Sequence, residues 1–132
     1  MPASASELDL AALQGTWEQV AFEEDGNPDA PDSYGGSVGS LTSFRGNHFS
    51  VRARSGLLLL EGTFALDASR TPKTIDWTDS IGADAGKTLA AIYMLEEDRF
   101  TFIAAEPGAP RPGAFKTVTG QTMRSFIRRS GN

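Results

Sequence analysis

Leu13-Gln14-Gly15-Thr16-Trp17 opens the first strand-like run of this chain and continues into Glu18-Gln19-Val20-Ala21-Phe22-Glu23. A glycine, a spacer and a tryptophan at the head of a strand can plug one end of a small β-barrel, with the remaining strands wrapped around the indole. Side chains along a strand alternate between its two faces. Trp17, Gln19, Ala21 and Glu23 are therefore expected on one face, and all four project inward if Trp17 does.

The rest of the sequence agrees with many short strands. Fourteen glycines and seven prolines in 132 residues, spaced between short apolar runs, favour strands and tight turns over long helices. One domain over residues 1–132, with its core at 13–129, accounts for the length. Ser4 to Leu13 carries apolar residues at helical spacing and an N-cap candidate at Ser6. Residues 1–12 are thus either a short lid helix or a disordered leader.

The first strand, Thr16 to Glu23, ends at a turn containing Asp25-Gly26. Asp29 to Gly39 reads as a long loop at the barrel mouth. Strands follow at Ser40–Phe44, His48–Arg54, Leu57–Leu66, Thr74–Thr78, Lys87–Leu95, Arg99–Ala104 and Met123–Arg129. Gly62 marks a bend or bulge. Glu106 to Gly113 is too rich in proline for a central strand and is expected as a loop over the barrel end. Eight strands joined mostly by short turns give an all-β, antiparallel up-and-down barrel with a short N-terminal helix; a sandwich of the same strands is the alternative.

Charge and composition exclude several function classes. Seventeen acidic against twelve basic residues leave a net charge of −5, and the basic residues are scattered, which argues against nucleic acid. The one tight basic group, Arg124, Arg128 and Arg129, is shorter than a polybasic membrane anchor. The absence of cysteine removes thiol nucleophiles and thiolate metal sites and favours the cytoplasm. The longest apolar run, Leu57 to Leu60, is too short to cross a bilayer, and Met1 to Leu10 lacks a signal-peptide pattern.

Six segments carry a resemblance. Leu13-Gln14-Gly15-Thr16-Trp17, Glu61-Gly62-Thr63-Phe64, Pro72-Lys73-Thr74-Ile75-Asp76, Gly86-Lys87-Thr88-Leu89, Ile92-Tyr93 and Pro107-Gly108-Ala109-Pro110-Arg111-Pro112 resemble, in this order, an uncharacterised bacterial family of small lipocalin-like (calycin) domains. The resemblance spans residues 13–129 and implies an eight-stranded barrel with an internal pocket. In lipocalins an arginine of the last strand packs on the tryptophan; here the resemblance implies Arg129 or, one register away, Arg128, closing the barrel with Gly15 and Trp17. The chain lacks the lipocalin disulfide, and Thr78-Asp79 is followed by Ser80 instead of tyrosine. Both departures weigh against extracellular transport. Gln19 and Trp77 stand where the bacterial family is expected to carry aliphatic residues.

Each candidate residue has a functional and a structural reading. Glu23 near the open end is a general base or ligand acceptor, or else a solvated rim carboxylate. Trp77 supplies a flat apolar wall if it points inward, the preferred direction, and covers the outside of the barrel if it does not. Tyr93 donates a hydrogen bond or acts as an acid, or simply packs. His48, the one histidine, sits at a turn and cannot build a zinc site alone. Gly82 to Lys87 has the wrong spacing for a phosphate loop and precedes a strand.

The favoured function is binding of a small apolar molecule, aromatic or not, with Gln19, Glu23, Trp77 and Tyr93 as ligand-binding residues and no cofactor or metal. One alternative is a cofactor-independent cyclase, isomerase or lyase working through Glu23 and Tyr93. Another is a protein-interaction module using its outer apolar strands. Because the strands at Leu57–Leu66 and Lys87–Leu95 are apolar on both faces, either the helix or a homodimer is expected to cover part of the outside.

Overall fold

A computed structural model of the protein describes residues 4–24, 26, 39–82 and 85–129. Helix α1 (Ala5–Leu13) is followed by β1 (Gly15–Glu24), β2 (Leu41–Arg45), β3 (His48–Arg52), β4 (Leu58–Asp67), β5 (Lys73–Asp79), β6 (Thr88–Glu96), β7 (Arg99–Ala105) and β8 (Gln121–Arg128). Each strand pairs antiparallel with its sequence neighbour, and β8 returns to β1 to close the barrel. The sheet thus has no free edge, and the up-and-down topology is that of a lipocalin-like barrel. Of the loop expected over Asp29 to Gly39, residues 29–38 lie outside the described residues.

The helix begins two residues earlier than the N-cap candidate Ser6 suggests. Ser4, not Ser6, is the N-cap: its hydroxyl accepts from the Glu7 amide while the Glu7 carboxylate accepts from the Ser4 amide. Ser6 instead uses its hydroxyl to accept from the Ala68 amide after β4. At the other end Gln14 ties the helix to the β2–β3 hairpin, donating to the Gly46 carbonyl at 3.0 Å and accepting from the Gly46 amide at 2.6 Å. The helix is the floor of the barrel and not a lid over its mouth.

Gly15 enters β1 at φ +112°, a conformation that L side chains rarely adopt, so a glycine is needed where the helix turns into the strand. That turn delivers Trp17, which is fully buried and donates from its indole nitrogen to the Leu13 carbonyl at 2.8 Å. The arginine over the indole is Arg128, with its guanidinium carbon 4.3 Å from the ring centroid. It also donates to the carbonyls of Ala12 (2.6 Å) and Gln14 (3.3 Å), where the helix dipole is negative. Arg129, the first candidate for this role, points the other way and pairs with Glu18 at 2.9 Å. The reason is register: Trp17 lies directly opposite Arg128, and neighbouring residues on a strand face opposite sides.

A bulge in β1 changes which residues point inward. Gln19 pairs with Phe126 and Ala21 with Ser125, so Val20 is an extra residue and lies 38% exposed. Beyond it the alternation reverses: Phe22 is buried, while Ala21 is exposed and Glu23 sits on the outer side. The expected inward set of Trp17, Gln19, Ala21 and Glu23 is therefore corrected to Trp17, Gln19 and Phe22. Gly62 is not a bulge. It pairs in regular register with Phe49 and Asp79, and a Cβ there would collide with the Thr78 carbonyl and come within 3.0 Å of the Phe49 ring.

The segment between β7 and β8 does not simply span the barrel end. Arg111 reaches the outer face of the sheet, pairing with Asp76 of β5 at 2.7 Å and donating to the Ala91 carbonyl of β6 at 2.7 Å. Further along, the Thr117 hydroxyl donates to Glu23 of β1 and accepts from the Gly26 amide at 2.9 Å. The segment is a strap anchored on both sides of β7 and β8. Ile92 and Ile103, paired with each other and pointing away from the interior, are only 1% and 0% exposed. This outward isoleucine pair is thus covered within the chain, while Leu57 just before β4 and Met94 of β6 stay exposed.

Candidate functional site

The interior divides into a packed half and a hollow half. Toward the helix, rings fill the barrel: Trp17, Phe44, Phe64, Tyr93, Phe100 and Phe126 belong to one buried cluster. Trp77 lies at its upper boundary, with the centroids of Phe102 at 4.8 Å, Phe49 at 5.2 Å and Phe64 at 5.6 Å. Above this layer lies a cavity of about 370 Å³, within the range of small-molecule sites, roughly 300–1,000 Å³. Small residues border the void: Gly82, Ala104 and Ala105.

The wall has two characters. On the side of β3 to β7 it is apolar, with Phe49, Val51, Leu59, Leu60, Trp77 and Phe102. On the side of β8, β1 and β2 it carries Gln19, Thr42, Thr122 and Arg124. Gln19 and Thr42 are buried, at 1% and 4% exposed, so their polar atoms belong to the interior. Arg124 donates to the Gln19 side-chain oxygen at 3.2 Å and lies over the Phe22 ring at 4.7 Å. Asp79 and Glu106, at the ends of β5 and β7, border the mouth.

Of the four residues expected to bind a ligand, the structure brings together two. Gln19 and Trp77 line the cavity, and Trp77 points inward as preferred. Glu23 does not line it, because the bulge turns its carboxylate outward to the strap, where Thr117 donates to it from both hydroxyl and amide. Tyr93 does not line it either. It points inward but lies at the closed end, where its hydroxyl donates to Asp9 of α1 at 2.7 Å and Lys73 donates to the same oxygen at 2.9 Å. Burial, and then the neighbouring Asp9 carboxylate, push the Tyr93 hydroxyl well above the usual tyrosine range. Such a phenol holds its proton through the neutral range, which makes it a packing and latching group. His48 is exposed at the start of β3.

Two inward residues, Phe22 behind the wall and Arg124 in it, left a signal in the sequence. Phe22 is a large apolar residue out of phase with Trp17, a sign of an interrupted alternation in β1. Arg124 shares a face with Phe126 and Arg128 at the strand period of two, so the choice of Arg128 for the floor carries Arg124 into the cavity. The three C-terminal arginines, one cluster in sequence, go to three places: cavity, floor and outer surface. No family model, curated protein or solved structure matches this chain.

Proposed function

We propose that this chain is a lipocalin-like binding protein, akin to the bacterial domains it resembles, that holds a small apolar ligand with a flat ring system in the upper half of its barrel. The observation that carries the reading is the hollow itself: about 370 Å³ left between Trp77 and the mouth, walled by leucines and aromatic rings. Removing apolar surface from water is worth roughly 25 cal/mol per Å², and a flat ring against Trp77 and Phe102 gains ring contact as well. Pre-formed walls lower the ordering cost of binding. The isomerase or lyase alternative rested on Glu23 and Tyr93, and neither borders this space. The lack of cysteine supports a cytoplasmic setting.

The test uses N-phenyl-1-naphthylamine, a neutral aromatic dye that brightens on leaving water. Saturable binding to the parent protein is expected, with Ala104→Phe, which puts a ring into the void, abolishing it. Absence of binding, or equal binding by Ala104→Phe in folded form, overturns the proposal.

A further inference from the structure

Thr42 of β2 stands directly opposite Trp17 and Val51, one inward step above Phe44, which belongs to the ring layer below. It therefore lies at the inner end of the hollow, beside the layer in which Phe44 and Trp77 have ring centroids 6.1 Å apart. Thr42 is 4% exposed and lines the cavity, yet its hydroxyl has no hydrogen-bond partner among the described residues. The indole nitrogen of Trp77 also lacks an acceptor, but it is shut in by its neighbours, whereas the Thr42 oxygen opens on the void. A buried polar group left unpaired is costly. A valine would fill the same β-branched position without that cost.

We infer that the ligand is an aromatic alcohol that enters hydroxyl end first and bonds Thr42 through that hydroxyl, with its rings against Trp77, Phe44 and Phe49. A threonine hydroxyl offers one donor and two acceptor sites. A ring hydroxyl both donates and accepts, so it meets Thr42 in either sense, whereas a carbonyl or an ether oxygen meets only the donor. Phe44, Phe49, Val51 and Trp77 give this end of the cavity apolar walls, and in such surroundings a hydrogen bond is stronger than in water. A site built around such a bond discriminates against the analogue that lacks the oxygen. This inference rests on the binding reading above and specifies the ligand within it.

The experiment measures displacement of N-phenyl-1-naphthylamine at neutral pH by two uncharged compounds, 2-naphthol and 2-methylnaphthalene, which differ in carrying a hydroxyl or a methyl group at the same ring position. Thr42→Val removes the protein's hydroxyl at nearly constant shape. The affinity for 2-naphthol relative to 2-methylnaphthalene is expected to fall by about three- to tenfold from the parent to Thr42→Val, the size of one neutral hydrogen bond. A ratio that is the same in both proteins overturns the hydroxyl inference and leaves the binding proposal standing. A parent that binds neither the dye nor the two naphthalenes overturns both. Should Thr42→Val not fold, NMR of the parent with 2-naphthol decides: the hydroxyl-bearing ring is expected to contact the Thr42 methyl group, and a complex without that contact rejects the site.

Discussion

Two adjacent arginines, Arg128 and Arg129, differ in what they do because one strand step reverses the direction of a side chain. Arg128 stacks on the buried Trp17 and binds the helix-end carbonyls, whereas Arg129 is half exposed and joins Arg54 around Glu18. A cation over an indole is worth on the order of 0.5–2 kcal/mol, and the carbonyls left behind by its removal lose charged donors at a further cost. Exposed pairs such as Arg129–Glu18 contribute about 0–1 kcal/mol. Urea denaturation should therefore show Arg128→Gln destabilised by about 2–4 kcal/mol and Arg129→Gln by less than about 1 kcal/mol. Equal losses would contradict the assignment of the floor to Arg128. The tryptophan was legible from its place after Gly15, but its partner was not, because two neighbouring arginines carry the same chemistry and the strand pairing alone chooses between them.

At the scale of elements, α1 and the strap are each fastened by polar contacts that the apolar pattern does not announce. The Tyr93 hydroxyl, bonded to Asp9 of the helix, holds its proton more tightly in the folded chain than in the unfolded one. The stability this contributes is complete below pH about 10, the ordinary tyrosine value, and is lost as pH rises above it. Thermal melts should accordingly fall more steeply above that pH in the parent than in Tyr93→Phe, which itself should be about 1.5–3 kcal/mol less stable at neutral pH. A parent and variant with the same alkaline slope would remove Tyr93 from the latch. For the strap, Thr117→Val leaves the Glu23 carboxylate without its hydroxyl donor and should cost about 1–3 kcal/mol in urea. It should also speed protease cleavage within 106–120, and unchanged cleavage would show that the anchor lies elsewhere. Strand positions were largely readable, since turn residues and alternation are local signals; β2, β3, β6 and β7 fall within about two residues of expectation at each end. The bulge in β1 left only the out-of-phase Phe22 as a sign, and its place at Val20 was not readable, because it is set by the pairing of β1 with β8, a strand distant in sequence.

Across the whole molecule, the half of the barrel next to the helix is filled by rings, while in the other half small residues stand among the rings and leucines of the wall, so that stability and binding are separated along its axis. A ligand that binds only the folded form stabilises it by about 2.7 kcal/mol at a hundredfold excess over Kd. The neutral dye at that excess should raise the Tm of the parent by several degrees and that of Ala104→Phe not at all. A shift in both would move the dye outside the hollow. By itself the sequence determined the strand count, the turns, the capped barrel end and an aromatic-rich interior, because these follow from periodicity, glycine and proline placement and the bulk of Trp17, each expressed within a few neighbouring residues. Only the tertiary structure decided that Arg128 covers the indole, that Glu23 and Tyr93 serve the strap and the helix, and that Arg124 faces the hollow. Those outcomes depend on strand register and on contacts between distant segments, and a single inserted residue in one strand redirects every side chain beyond it.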